Sequence, residues 1–256
     1  MPRGLVRSTN TCAKGATLAE RPIRTAPILY RVLKAVLVGV VNLTLHPTVA
    51  GVKHMPPSGP AILCANHLSI VDPVVLAVSV DRPVFYLGKS EYFRGPLRWF
   101  FESLGVMPIA REGGIAGERS LQRGREILEA GALLGIYPEG ARSPDGRLYR
   151  GKTGAVRLAI RTGAPVVPIG LRGTREVLPP HGWLPRPGPV EVRFGPPLDF
   201  RHLQGRDMQP SALRTATDAV MSEILSLSGQ SYADVPAAQA VVAQRRGRTR
   251  GRLTQR

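Results

Sequence analysis

The chain has 256 residues, of which 43% are hydrophobic, and this length predicts one domain with a sizeable core. Its formal net charge of +17 implies an anionic partner, which could be a polyphosphate, a nucleic acid or an acidic membrane surface. Aromatic residues make up only 5% of the chain, which argues against a surface that stacks single-stranded bases. Cys12 and Cys64 lie in a polar leader and an apolar run, so no disulfide framework is predicted and a reducing compartment fits best.

The N-terminal part of the chain predicts a flexible leader followed by one helix. Residues 1–27 are polar and basic and lack the apolar stretch and cleavage site of a secretory signal. Residues 28–47 are apolar but contain Arg31, Lys34 and Asn42, so they are too short and too charged to span a membrane comfortably. Basic residues near the start of an apolar stretch favour a helix that lies in the membrane interface, with a packing helix as the alternative.

From Pro60 onward, short apolar runs alternate with helical patterns. The runs predict strands at Ala61–Ala65, Val84–Leu87, Val106–Ala110, Leu133–Tyr137, Val166–Leu171 and Val190–Phe194. The patterns between them predict helices at Pro73–Val80, Pro96–Leu104, Gly117–Ala130 and Gly154–Thr162. Strands that alternate with helices predict an α/β layered fold, in which helices flank a central mixed, largely parallel sheet.

The C-terminal part of the chain predicts one more helix and a tail. The helix is expected at Pro210–Leu227, so that the folded domain covers residues 48–228. Residues 229–256 end in six arginines spaced by polar residues, and this composition predicts disorder.

The polar segment that follows the first predicted strand, Asn66 to Pro73, carries the most chemical information. Asp72 before Pro73 predicts a helix N-cap and a first helical proline, which leaves His67 in the turn between strand and helix. A histidine in that turn can fold back on the carboxylate of Asp72, which would fix the ring tautomer and leave the second ring nitrogen as a base for a hydroxyl. The alternative is a structural histidine beside a capping aspartate.

Two arginines follow later strands of the predicted sheet. Arg111 ends the segment Gly105–Arg111, and Arg142 lies in the segment Tyr137–Ser143. Both would share the edge of the sheet that carries His67 if the strands are parallel. The planar guanidinium group of arginine can donate two hydrogen bonds to one phosphate, so the two arginines are candidates for a phosphate site. For either arginine alone, a solvated loop charge is the more common role.

Four segments occur in a fixed order: NHLSIVD (66–72), GVMPIAR (105–111), YPEGARS (137–143) and APVVPIG (164–170). Together they resemble the sequence blocks of the glycerolipid acyltransferase family, which includes lysophosphatidic acid acyltransferase, over roughly residues 45–200. The resemblance implies that His67 and Asp72 form a catalytic dyad. It also implies that residues around the glycerol phosphate of the acceptor are Arg111, Glu139, Gly140, Arg142 and Lys89. Ala110 and Ala141 depart from the family's usual residues.

The resemblance implies a reaction as well as a fold. A fatty acyl group would pass from acyl-CoA or acyl carrier protein to the free hydroxyl of 1-acyl-sn-glycerol-3-phosphate, giving phosphatidic acid without a metal or other cofactor. The expected partners are this thioester donor, the lysophospholipid acceptor and a membrane surface with anionic lipid, at the cytoplasmic face of the cell membrane; no nucleic acid is expected. The alternatives are a different lipid or glycan acceptor and a basic, non-catalytic module that binds membrane or nucleic acid.

Two further patterns suggest other chemistries. Residues 146–153 match the G-x4-G-K-[ST] loop of nucleotide hydrolases, but residues 139–145 separate this loop from the preceding strand, which argues against that function. Cys64 lies three residues before His67, and its apolar strand favours a core residue over a nucleophile. The remaining histidines have no spacing typical of metal ligands.

Overall fold

The computed structural model describes residues 27–89, 105–109, 115–180, 182, 184–206 and 209–244. Its strands are β1 (Thr48–Ala50), β2 (Ala61–Ala65), β3 (Val84–Lys89), β4 (Val106–Ile109), β5 (Leu133–Ile136), β6 (Leu148–Tyr149), β7 (Val166–Arg172), β8 (Glu191–Phe194) and β9 (Tyr232–Ala233). Seven of them form one sheet in the order β1-β8-β7-β2-β5-β3-β4. β7, β2, β5, β3 and β4 are parallel, and β8 is antiparallel to β7. The prediction of a mixed, largely parallel sheet is therefore confirmed.

The helices cover both faces of this sheet. They are α1 (Pro27–Leu45), α2 (Asp72–Val78), α3 (Ile115–Glu129), α4 (Gly154–Thr162), α5 (Thr174–Val177) and α6 (Pro210–Ser228). Short 3-10 helices lie at Val52–His54 and Arg201–Leu203. The helix predicted at 96–104, the leader 1–26 and the arginine-rich residues 245–256 lie outside the described residues.

The central strand β2 is buried on both faces, which explains its continuous apolar sequence. Ile62 and Cys64 pack into a cluster with residues of α3, α4 and α6. Ala61, Leu63 and Ala65 point to the opposite face, where they join residues of α1 and α2. The alternation along one strand thus builds two core layers, and β2 is held rigidly between them.

Helix α1 has one packed and one exposed apolar side. Val41 and Leu45 are buried in the core, and the ammonium group of Lys34 donates hydrogen bonds to the backbone carbonyls of Val80 and Asp81. Four apolar side chains on α1 are exposed by half or more: Val32, Val36, Val40 and Leu43. Across the described part of the chain, no helix has the length and apolar character that a membrane span requires.

The predicted disordered tail is wrong for residues 229–244, which fold onto the domain. β9 pairs with β6, and residues 237–244 are helical. Tyr149 of β6 is fully buried against Ala233 and Ala237. The segment therefore shares an apolar cluster with an aromatic side chain of the domain, and composition alone did not reveal that.

Candidate active site

The chain segments that follow β2 and β5 meet at one edge of the sheet. β2 and β5 are parallel neighbours, with Cys64 opposite Ile136 near their carboxyl ends. Residues 66–72, called here the His67 turn, follow β2, and residues 137–143 follow β5. This is the edge at which parallel α/β sheets bind ligands.

His67 and Asp72 form a close pair within the His67 turn. Nδ1 of His67 lies 2.8 Å from Oδ2 of Asp72, and the same oxygen accepts the backbone N–H groups of Leu68 at 2.7 Å and Ser69 at 2.8 Å. Asp72 is fully buried, whereas the side chain of His67 is 19% exposed. A carboxylate acceptor places the proton on Nδ1, which leaves Nε2 with a lone pair. Nε2 has no hydrogen bond to the described residues, so it is available as a base.

The prediction that Asp72 caps helix α2 is wrong. The helix begins at Asp72 itself, Val71 occupies the N-cap position, and no side chain caps the helix. The carboxylate of Asp72 turns back to the preceding loop, because three donors converge on its Oδ2 there. Asp72 thus orders the turn and orients the imidazole with one oxygen.

An aromatic ring packs against one face of the His67 imidazole. The ring of Tyr137 stacks on His67 with 4.0 Å between the ring centroids and 17° between the planes. Tyr86 stacks on Tyr137 in turn, and its hydroxyl donates to the carbonyl of Pro73 at 3.2 Å. Burial raises the pKa of Tyr137 well above its ordinary value, so this neighbour of His67 stays neutral.

Glu139 joins the His67 turn to the segment after β5. It is 1% exposed, and its two oxygens accept the backbone N–H groups of His67 at 2.8 Å and Tyr149 at 2.9 Å. Burial raises the pKa of Glu139 to about 8, although both N–H bonds favour the charged form. These bonds show that Glu139 holds the backbone of His67, while its expected contact with an acceptor stays a prediction.

Arg142 follows Glu139 at the same edge. Its neighbour Ser143 donates its backbone N–H to the carbonyl of His67 at 2.7 Å, which ties this loop to the turn. Arg142 is partly buried and has no hydrogen bond or ion pair with the described residues. Gly140, at φ 70°, adopts the left-handed backbone that closes the tight turn before it. Arg111 and the side chain of Lys89 lie outside the described residues.

Asn66 is a structural element of the site that the sequence did not reveal. Its side chain exchanges two hydrogen bonds with the backbone of Leu171, at 2.9 Å and 2.7 Å, and donates a third to Gln230 at 2.8 Å. Asn66 therefore fixes the end of β2 against β7 and the C-terminal segment. Its position directly before His67 was the available signal, but nothing in the sequence singled out Gln230.

Cys64 is part of the core. It is fully buried, and burial raises its pKa to about 12, so the reactive thiolate is strongly disfavoured. Within the described residues, no group of three or more histidine, cysteine, aspartate or glutamate side chains is arranged to hold a metal ion.

A family model described as Acyltransferase matches residues 46–172, about half of the chain. This range contains His67, Asp72, Arg111, Glu139 and Arg142. The chain belongs to the acyltransferase family.

Several curated relatives of this acyltransferase-family chain are named 1-acyl-sn-glycerol-3-phosphate acyltransferases. A chloroplastic 1-acyl-sn-glycerol-3-phosphate acyltransferase of Arabidopsis thaliana is 36% identical over 144 residues, which cover 54% of this chain and 40% of the relative. A 1-acyl-sn-glycerol-3-phosphate acyltransferase of Pseudomonas aeruginosa is 28% identical over 173 residues, which cover 66% of this chain and 65% of the relative. The chain thus matches less than half the length of the plant enzyme.

A solved structure shares the acyltransferase fold. The 1-acyl-sn-glycerophosphate acyltransferase PlsC of Thermotoga maritima superposes with a TM-score of 0.59 and 23% identity, over 78% of each chain. This likeness establishes the fold and confirms the α/β architecture predicted from the sequence.

Proposed function

We propose that the protein transfers a fatty acyl group from an acyl thioester to the free hydroxyl of 1-acyl-sn-glycerol-3-phosphate, giving phosphatidic acid. The observation that carries the proposal is the 2.8 Å contact between His67 Nδ1 and buried Asp72, which leaves Nε2 free at the ligand-binding edge of the sheet. The names of the curated relatives support the choice of acceptor.

The site supplies a base in a fixed orientation. Nε2 of His67 would take the proton of the acceptor hydroxyl as its oxygen attacks the thioester carbonyl. The tetrahedral intermediate would collapse by expelling the thiolate, and the imidazolium would pass the proton that it took from the hydroxyl to this thiolate. Asp72 stabilises the positive charge that His67 carries between these steps. The new ester bond replaces the thioester bond, and no acyl-enzyme is required.

The acceptor phosphate needs a cation that has no internal partner. Arg142 meets this requirement, since its guanidinium group is unpaired among the described residues. Its neighbour Ser143 is bonded to the backbone of His67 at 2.7 Å. A phosphate bound to Arg142 would hold the acceptor hydroxyl near the base, and this proximity lowers the barrier. Arg111 and Lys89 are proposed as further phosphate ligands on the resemblance alone.

A panel of acceptors tests the proposed reaction. The protein is incubated with labelled acyl-CoA and, separately, with lysophosphatidic acid, glycerol 3-phosphate, lysophosphatidylcholine and a glycan acceptor, and the products are identified by mass. We expect rapid labelling of phosphatidic acid. Faster labelling of another acceptor would keep the acyltransferase chemistry and reject the proposed substrate, and no transfer to any acceptor would reject the reaction.

We also propose that α1 attaches the protein to the surface of an anionic membrane, at its cytoplasmic face. The exposed residues Val32, Val36, Val40 and Leu43 follow helical spacing and form one apolar stripe. An apolar stripe of this kind can enter the boundary between headgroups and acyl chains. Such attachment would bring the enzyme to an acceptor that resides in the bilayer.

Point substitutions test this attachment without removing buried residues of α1. Val36 and Leu43 are replaced together by glutamine, with Val52→Gln as a control, because Val52 is a comparably exposed valine outside α1. Flotation with anionic liposomes should decrease for the double variant and not for the control. High salt should release the wild-type protein incompletely, since it screens charge but not apolar burial. Equal flotation of all three proteins would contradict the proposal.

A further inference from the structure

A cavity of about 640 Å³ opens between α4 and α6, on the chain segment that follows β6. Its lining includes four cationic side chains, those of Arg150, Lys152, Arg157 and Arg214. Thr153 at the N-terminus of α4 and Pro210 at the N-terminus of α6 complete much of the wall. We refer to this cavity as the basic pocket.

Two of the four cations in the basic pocket lack counter-charges. The guanidinium group of Arg214 forms an ion pair with Asp218, and Nε of Arg150 lies 3.7 Å from Oδ1 of Asp234. The side chains of Lys152 and Arg157 have no hydrogen bond or ion pair with the described residues. Nε of Arg157 is buried without a hydrogen-bond partner, which is a costly state for a charged group. The side chains of Lys152 and Arg157 therefore leave positive charge at the pocket that an anionic ligand would neutralise.

The helix termini strengthen this preference for an anion. Neither α4 nor α6 has an acidic residue in its first turn, so no carboxylate within either first turn offsets the partial positive charge of the N-terminus. Gly151, Lys152 and Thr153 also end the stretch that resembles a nucleotide-hydrolase loop. That stretch contains strand β6 at Leu148–Tyr149 and so cannot wrap a phosphate as such a loop does. It still presents a lysine and a helix N-terminus to the pocket.

Residues 138–140 connect the basic pocket to the His67 turn. The backbone N–H of Lys152 donates to the carbonyl of Pro138 at 2.8 Å. A Cβ atom added to Gly140 would lie 2.7 Å from Nζ of Lys152, so the lysine side chain runs directly over this glycine. Glu139 lies between Pro138 and Gly140 in the chain, and its Oε1 accepts the backbone N–H of His67 at 2.8 Å. Residues 138–140 thus contact both Lys152 of the pocket and the backbone of His67.

We propose that the basic pocket binds the phosphate groups at the nucleotide end of coenzyme A, an inference that rests on the proposed acyl transfer. The chemistry that the pocket recognises is a phosphate ester, which the acceptor or an anionic lipid could also supply. A volume of about 640 Å³ with four cations suits a ligand that carries several phosphates on a compact group, because ligand pockets span roughly 300–1,000 Å³. The phosphopantetheine arm of the donor would then extend past residues 138–140 toward His67.

Binding of free coenzyme A, without turnover, tests this inference by isothermal titration calorimetry. The double variant Lys152→Gln/Arg157→Gln should raise the Kd for coenzyme A about tenfold or more, because two charge-assisted contacts are lost. Arg125→Gln is the matched control, since Arg125 is an exposed arginine of α3 that is paired with Glu129. An unchanged Kd in the double variant, or no binding by the wild-type protein, would overturn the proposal.

A second pair of variants tests whether a loss of affinity comes from the lost charge or from misfolding. Lys152 is exposed, so Lys152→Gln alone should leave thermal unfolding unchanged while it raises the Kd for coenzyme A to a smaller extent. Lys152→Arg should retain most of the affinity because the charge is kept. If Lys152→Arg were as damaging as Lys152→Gln, charge would not be the cause and the proposal would fail.

Kinetics and flotation distinguish the possible sources of the phosphate. The double variant should raise the KM for acyl-CoA, leave the KM for lysophosphatidic acid unchanged, and use acyl-pantetheine as well as the wild-type protein does. A rise confined to the acceptor KM, or lost flotation on anionic vesicles with normal coenzyme A binding, would assign the pocket to another phosphate and overturn the proposal. Coenzyme A binding without any phosphatidic acid formation would instead reject the proposed function.

Discussion

The His67 turn and the basic pocket are joined by residues 138–140 but differ in how their charged side chains are bonded. In the His67 turn, Oδ2 of Asp72 accepts three hydrogen bonds, and the neighbouring Glu139 accepts two, all between 2.7 and 2.9 Å. In the basic pocket, Lys152 and Arg157 have no internal partner among the described residues, and Nε of Arg157 is buried and unsatisfied.

This difference indicates two kinds of function. A network whose members are bonded to one another fixes geometry, which a general base needs in order to meet a hydroxyl at the right distance. Unpaired cations are available to a ligand that brings its own charge. We therefore expect substitutions in the His67 turn to reduce kcat and often stability, and substitutions of unpaired cations to raise KM or Kd.

The largest of the following effects is expected for Asp72→Asn, which should lower kcat by about 10²- to 10⁴-fold because the imidazolium loses its counter-charge. Stability should fall as well. Oδ1 of Asp72 is buried without a partner, so an amide nitrogen in its place would be a buried donor without an acceptor, at a cost of about 1–3 kcal/mol. Steady-state kinetics and urea unfolding measure the two effects. A normal kcat would reject the assigned role.

Glu139→Gln should have the next largest effect. Glutamine has one acceptor oxygen, so the backbone N–H of either His67 or Tyr149 loses its partner and the position of the base loosens. We expect kcat to fall by up to about 100-fold with little change in either KM. Glu129→Gln, an exposed glutamate on α3, is the control. A rise in the acceptor KM at constant kcat would instead favour the substrate contact that the family resemblance implies.

Glu139 should also make the free energy of unfolding depend on pH. Its folded pKa of about 8 lies above its ordinary value of 4.5, so the folded state favours the protonated form. The resulting stability is fully present below about pH 4.5 and is lost as the pH rises through about 8. Urea unfolding between pH 5 and 9 should therefore show a decline in the wild-type protein that is absent from Glu139→Gln. Parallel curves for the two proteins would contradict this assignment.

Arg142→Ala should have the smallest effect on turnover. Loss of one charge-assisted phosphate contact is expected to raise the KM for lysophosphatidic acid about tenfold and to leave that for the acyl donor unchanged. Arg142→Lys should recover part of the loss, since a point charge cannot reproduce two parallel bonds. Arg147→Ala is the control, because Arg147 lies in the same loop but is paired with Asp145 at 2.8 Å. Equal rises for both substrates would indicate a structural role.

Much of the sheet could be predicted from the sequence because its central strands, such as β2 and β7, are buried on both faces. Such strands consist of uninterrupted apolar runs, and the predicted Ala61–Ala65 coincides with β2. The short strands β1, β6 and β9 were missed, since two or three residues carry no detectable period. β9 pairs with β6 and packs against Tyr149, and a contact between residues this distant leaves no local signal.

The sequence predicted the features of the site that depend on residue type. It did not predict those that depend on which way a side chain points. Histidine and aspartate five residues apart indicated a base and its partner, and the structure brings them to 2.8 Å. The sequence could not show that Asp72 faces the preceding turn, that Tyr137 stacks on His67, or that Glu139 points inward. Those features depend on how β2 and β5 pair, which is a tertiary property.

Formation of phosphatidic acid by His67→Ala tests the central claim most directly. Equal concentrations of the wild-type and variant proteins, both checked for folding by thermal unfolding, are given labelled acyl-CoA and lysophosphatidic acid, and the labelled product is measured over time. The variant should fold normally, because the backbone N–H of residue 67 can still donate to Glu139. Its rate of phosphatidic acid formation should be about 10²- to 10⁴-fold lower. A well-folded His67→Ala protein that forms phosphatidic acid at the wild-type rate would contradict the account.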